Sequence, residues 1–63
     1  MMKDQYGDHV RVYAGKEKKF VFIDNSYNES PDKLQFRTVL DKKQAFELID
    51  KLKKAVNELG GKQ

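Results

Sequence analysis

The chain has 63 residues with no cysteine, 13 basic and 10 acidic side chains, and a formal net charge of +3 at pH 7. A chain of this length forms one domain and buries only about 60% of the surface that its unfolded form exposes. Without cysteine it has neither disulfides nor thiolate metal sites, so its stability has to come from packing or from a partner. The mild positive charge permits an anionic partner without requiring one.

The sequence contains no segment typical of a membrane protein. The longest apolar run, residues 20–23, is far too short to span a bilayer. Residues 1–5 lack the apolar segment of a secretory signal, and a cysteine-free composition fits a reducing compartment. We therefore expect a cytoplasmic protein that has no membrane contact.

The first two thirds of the chain predict three strands. Residues 1–8 are polar, and we expect them to be flexible. Alternation of polar and apolar residues predicts strands over 9–14 and 34–40. Residues 19–24 are apolar on both faces, which favours the central strand. Gly15, in the connection before it, is free to adopt a positive φ.

Residues 42–59 predict one helix. Asp41 is a favourable N-cap, and Gln44, three residues later, completes a capping box. Gly60 follows where a left-handed C-cap is expected, and it opens a tail over 60–63. The apolar residues have helical spacing and form one stripe, which we call the helix stripe: Ala45, Leu48, Ile49, Leu52, Ala55, Val56 and Leu59.

These elements predict an α+β fold over residues 1–63. A three-stranded antiparallel β-meander is followed by one C-terminal amphipathic helix, which packs on one sheet face in the order β-β-β-α. The side chains expected beneath the helix are Val10, Val12, Ala14, Phe20, Phe22, Leu34, Phe36 and Leu40.

The opposite sheet face is expected to remain open, with an apolar centre and a rim of arginine and tyrosine. This composition is typical of a protein interface. Phe46 lies off the helix stripe, so it either folds over the sheet edge or contacts a partner. The candidate interface residues are Val21, Ile23, Val39, Tyr13, Arg11, Arg37 and Phe46.

The open face leads to two hypotheses for function. The first is a small non-enzymatic protein-interaction module that self-associates through this face, as an accessory or inhibitory protein. Its partner is a second copy in a homodimer or a different protein. The alternative is a nucleic-acid-binding protein that holds phosphates and stacks a base on the same face. The residues that would make these contacts are Arg11, Tyr13, Lys19 and Arg37.

The sequence predicts no catalytic residue, metal site or cofactor. The sequence has one histidine, His9, and no residue pattern that supplies a nucleophile together with its base and an orienting group. The polar segment 25–33 and its neighbours superficially resemble a calcium loop, in which residues at the first, third and fifth positions would be Asp24, Ser26 and Asn28. However, Glu29 replaces the glycine needed at the sharp turn, and Gln35 replaces the final bidentate acid.

Overall fold

The computed structural model describes residues 2–60. Its elements are strands β1 (Met2–Lys3), β2 (His9–Ala14), β3 (Val21–Ser26) and β4 (Leu34–Leu40), followed by helix α1 (Lys42–Asn57). The strands form one antiparallel sheet in the order β1-β2-β3-β4, so each strand pairs with its neighbour in sequence. The fold is therefore α+β, a β-meander followed by a helix.

The sheet has four strands, and the prediction of three is wrong. The additional strand, β1, lies within residues 1–8, the segment expected to be flexible, and pairs with the start of β2. A compact turn joins the two strands because the Asp4 carboxylate accepts hydrogen bonds from the backbone N–H groups of Tyr6 (2.9 Å) and Asp8 (3.0 Å). Gly7 supplies the left-handed residue of this turn, with φ of 89°.

The connection between β2 and β3 differs from the prediction. The strand expected over 19–24 starts and ends two residues later, as β3. Lys18, with φ of 61°, takes the left-handed conformation that was expected at Gly15. Gly15 instead lies close to the Phe22 ring, and a Cβ atom there would be 3.2 Å from it, a tight contact that the ring would have to relieve by a small shift.

The helix begins as the sequence predicts. Asp41 accepts a hydrogen bond from the Gln44 N–H at 2.8 Å, and the Gln44 side chain accepts one from the Asp41 N–H at 3.0 Å. Both halves of the capping box are therefore formed. The helix ends at Asn57, and Glu58 is the C-cap rather than Gly60.

Both ends of the chain extend past the described segment. Met1, which the sequence assigns to a flexible start, lies outside the described residues. Residues 61–63 of the predicted tail also lie outside them.

The helix leaves the sheet instead of crossing it. Asp41 is the only residue between β4 and α1, and the helix contacts the sheet mainly at β4. No helix residue is buried, and Ile49, Leu52, Val56 and Leu59 are 44–62% exposed. The predicted packing of α1 over a face of its own sheet is therefore not present in the single chain.

The resulting molecule is thin and open. It measures 36 × 31 × 15 Å and has a radius of gyration of 13.5 Å, compared with about 10.6 Å for a compact chain of this length. Its accessible surface is 5600 Å², whereas a compact protein of this mass exposes about 4200 Å². Within residues 2–60 no hydrophobic side chain is fully buried. The single chain thus has a sheet and a helix without a closed hydrophobic core.

We expect Asp41→Ala to lower the free energy of unfolding by about 1 kcal/mol, because the Gln44 N–H loses its acceptor. Chemical denaturation of both proteins measures the difference. Asp50→Ala, an exposed change on the same helix, is the control and should alter stability by less than about 0.5 kcal/mol. Equal losses in the two variants would contradict a specific role for the cap.

We expect Lys18→Gly to raise the free energy of unfolding by about 0.5 kcal/mol, because glycine tolerates the positive φ better than lysine. The same denaturation experiment measures this gain. Lys16→Gly, in the same turn, should lower stability because there glycine only increases the freedom of the unfolded chain. A loss of stability with Lys18→Gly would contradict the assigned turn.

Candidate functional site: the two sheet faces

Cross-strand pairing assigns the side chains of the sheet to two faces, because directly opposed residues of antiparallel strands project to the same side. Tyr13 lies opposite Phe22, and Phe22 lies opposite Val39. We call this side the polar face. Its members are His9, Arg11, Tyr13, Phe22, Asp24, Ser26, Arg37 and Val39.

The other side of the sheet is almost entirely hydrophobic. Val12 lies opposite Ile23, and Ile23 lies opposite Thr38. We call this side the apolar face. Its hydrophobic members are Met2, Val10, Val12, Ala14, Val21, Ile23, Phe36 and Leu40.

The candidate interface residues do not share one face. Arg11, Tyr13, Arg37 and Val39 lie together on the polar face, as predicted from the sequence. In contrast, Val21 and Ile23 lie on the apolar face, and Phe22 takes their expected place. The prediction of which β3 side chains lie on which face of the sheet is therefore wrong. Every residue from 20 to 23 is apolar. Hydrophobicity alone therefore does not indicate which of these side chains lie on which face of the sheet.

An ion pair between the buried Asp24 and the partly exposed Arg37 organises the polar face. Asp24 is only 3% exposed. Its carboxylate accepts hydrogen bonds from Arg37 Nε at 2.6 Å, Arg37 Nη2 at 3.1 Å and Tyr13 Oη at 2.6 Å. A buried carboxylate is tolerated when charged donors satisfy it in this way.

The network fixes the protonation states of its members. Hydrogen bonding to Arg37 lowers the pKa of Asp24, although burial opposes this shift. The pKa of Tyr13 is raised, chiefly because its hydroxyl donates to the Asp24 carboxylate. Around neutral pH the network therefore holds an ionised aspartate, a neutral tyrosine and a charged arginine.

Aromatic rings and guanidinium groups cover this network. The guanidinium carbon of Arg37 lies 4.9 Å from the centroid of the Phe22 ring, and that of Arg11 lies 5.5 Å from the centroid of the Tyr13 ring. The Tyr13 and Phe22 rings meet edge to face, with centroids 5.6 Å apart. These contacts provide cover for a face that has no helix above it.

Three of the four candidate nucleic-acid contacts lie together on the polar face. Arg11, Tyr13 and Arg37 lie together, whereas Lys19 lies in the connection before β3 and outside the paired strands. Arg37 uses Nε and Nη2 to bind Asp24, whose negative charge lies among the basic groups. This internal pairing weakens the attraction of the polar face for phosphate.

On the other side of the sheet, the helix and the apolar face form an open groove of about 400 Å³. Ala14 and Val21 line the sheet side of the groove, and Ala45, Phe46 and Ile49 line the helix side. Phe46 therefore lies on the groove side of the helix. Phe20 and three lysines complete the lining: Lys18, Lys19 and Lys42.

Neither His9 nor Asp24 belongs to a metal site in the structure. The Nδ1 atom of His9 is buried and has no hydrogen-bond partner, and Asp24 is engaged by Arg37. In the part of the chain that the structure describes, no group of three or more His, Cys, Asp or Glu side chains is placed to hold a metal ion. Among residues 2–60, no helix has the length and apolar character needed to cross a membrane.

Comparison of the chain with protein-family models, with curated proteins and with solved structures finds no match. Function therefore has to be inferred from the two sheet faces and the groove.

Sequence reasoning missed the roles of Asp24 and Phe22. From the sequence, Asp24 is expected to end its strand, and it falls at the first position of the calcium-like loop. The sequence does contain a feature that points to the role of Asp24. Each of the two flanking strands carries one arginine, Arg11 or Arg37, and both lie opposite Asp24. An acidic residue in a central strand is expected to lie on the same face as arginines of the two neighbouring strands, because ion pairs can form there.

We expect the Asp24 network to make stability depend on pH. The pKa of Asp24 in the folded chain is lowered, so its contribution is present above the ordinary aspartate pKa of about 3.9. That contribution is lost as the pH falls through the folded-state value. Urea denaturation between about pH 7 and pH 2 should therefore show a steeper acid loss for wild type than for Asp24→Asn. Asp32→Asn, in the exposed loop before β4, should retain the wild-type slope, and identical slopes for all three proteins would contradict the network.

Proposed function

We propose that this chain is a small non-enzymatic protein-interaction module that self-associates through its apolar face and helix stripe, as an accessory or inhibitory protein. The main support is the absence of any fully buried hydrophobic side chain among residues 2–60. Val12 on the apolar face and Val56 on the helix stripe are 62% and 57% exposed. An extended apolar surface of this kind marks an interaction site in a small protein.

The surface area supports a stable interface. The 5600 Å² of this chain exceeds by about 1400 Å² the surface of a compact protein of equal mass. A standard protein interface needs about 800 Å² from each partner. Burial of a large aliphatic or aromatic side chain contributes about 1.5–3 kcal/mol. Several such side chains together can offset the entropic cost of association, which is about 4–15 kcal/mol.

A second copy is the partner that the surface favours. In each chain the helix meets its own apolar face only along the open groove, so most of that face lacks a helix over it and most of the helix stripe lacks a sheet beneath it. Two copies related by a two-fold axis would supply each other with the missing layer. A different protein would need to supply both layers.

The alternative function, nucleic-acid binding through the polar face, has weaker support. Arg11, Tyr13 and Arg37 are close together, but Asp24 neutralises part of their charge. A net charge of +3 on 63 residues also provides only a modest field for phosphate.

Two matched substitutions test self-association. Val12→Asp places a carboxylate on the apolar face, and Val39→Asp makes the same change on the polar face, where Val39 is 47% exposed. We expect wild type and Val39→Asp to form dimers at micromolar concentration, and Val12→Asp to dimerise at least about tenfold more weakly. Light scattering over a dilution series measures the mass, and circular dichroism checks that each variant is folded.

Salt separates this proposal from the alternative. We expect dimerisation to be unchanged or strengthened as salt rises, because two chains of charge +3 repel each other. A monomeric wild type would contradict the proposal. If that monomer bound a single-stranded oligonucleotide, with affinity falling log-linearly with salt and lost in Arg11→Ala/Arg37→Ala, the nucleic-acid function would replace it.

A further inference from the structure

We infer that the dimer forms by reciprocal helix exchange, in which α1 of each copy lies across the apolar face of the other. This inference rests on the proposed self-association and adds how the two copies fit together. Three stripe residues of one helix, Ile49, Leu52 and Val56, would cover Val12 and its neighbours on the other copy.

The link between sheet and helix argues against closure within one chain. A single residue, Asp41, joins Leu40 at the end of β4 to Lys42 at the start of α1. Its backbone N–H and its carboxylate are both held in the capping box by Gln44. Turning the helix onto its own sheet would require the backbone to rotate at Asp41, which the capping box holds, or at Leu40, which is paired with Val21 of β3. A second copy can cover the sheet without any such change.

The dimensions of helix and sheet are compatible with exchange. The 16 residues of α1 span about 24 Å, and strands of six or seven residues span about 20–23 Å. Val12 and Phe36 are 62% and 59% exposed, on the two strands that flank β3. An apolar helix laid across these strands would cover both side chains and Ile23 between them.

Exchange also covers more apolar surface than the other symmetric arrangements. Two sheets packed through their apolar faces would leave both helix stripes in water. Two helices packed through their stripes would leave both apolar faces in water. Only a helix-on-sheet contact, made twice around a two-fold axis, covers both surfaces of both copies.

Chemical cross-linking distinguishes these arrangements because the chain has no cysteine of its own. We would prepare Val12→Cys with one affinity tag and Val56→Cys with a tag of different size, and then mix them to exchange subunits. A short bismaleimide should join Val12→Cys to Val56→Cys as the main product. Lys54→Cys, on the far side of the helix, replaces Val56→Cys in the control and should reduce the yield at least about fivefold.

Each other outcome contradicts a different claim. Light scattering of every variant before cross-linking establishes whether dimers are present. Dimers that give mainly Val12–Val12 or Val56–Val56 products would overturn exchange and leave self-association intact. Monomers without any intermolecular product would overturn the proposed function itself.

A further variant tests closure of the helix onto its own sheet. Val12→Cys/Val56→Cys in one chain, diluted until light scattering shows monomers, should give no internal cross-link if the helix remains extended. An internally cross-linked monomer would overturn exchange. The pair Phe36→Cys and Leu52→Cys repeats the intermolecular experiment at independent positions, so that the result does not depend on the folding of one variant.

Discussion

Asp24 is buried at the centre of the sheet and accepts hydrogen bonds from Tyr13 and Arg37. A carboxylate in this position is stable only when charged donors reach it, so the alignment of β2, β3 and β4 is tied to this contact. A slip of one residue would move Asp24 to the opposite face, away from both partners. The same constraint sends Val21 and Ile23 to the apolar face. One ion pair thereby determines which surface the protein has to cover.

A single helix does not cover that surface, because of the way in which it is attached. The capping box at Asp41 forms immediately after β4, and the helix that follows it contacts the sheet mainly at β4. The cap stabilises the helix locally, while the helix stripe and the apolar face both remain exposed. The isolated chain therefore has a stable cap but leaves both apolar surfaces in water. The proposed association would cover these surfaces and leave the cap intact.

The sequence predicts those features that depend on neighbouring residues. Strands over 9–14 and 34–40 follow from the alternation of polar and apolar residues, and the capping box follows from the spacing of Asp41 and Gln44. Hydrophobicity does not predict which β3 side chains lie on which face of the sheet, because every residue of the run 20–23 is apolar. The pairing of Asp24 with Arg37 decides it. The stripe residues from Ala45 to Val56 lie in α1 as predicted, whereas Leu59 lies beyond its end. An amphipathic pattern indicates only that a surface is to be buried. It does not indicate whether the same chain or another one buries it.

The two faces of the sheet differ in the groups that they expose to solvent. On the polar face, guanidinium groups lie over the rings of Tyr13 and Phe22 and keep their charged ends accessible, so this face is stable without a partner. On the apolar face, Val12 and Phe36 have no polar group to present to water, and their exposure raises the free energy of the single chain. Because a single-layered sheet has two faces and this chain provides cover for only one, the remaining face is the surface on which the proposed self-association rests. In the proposed dimer a second copy would cover that face with the surface that it needs to bury itself, so we expect the folding and the association of this protein to be coupled.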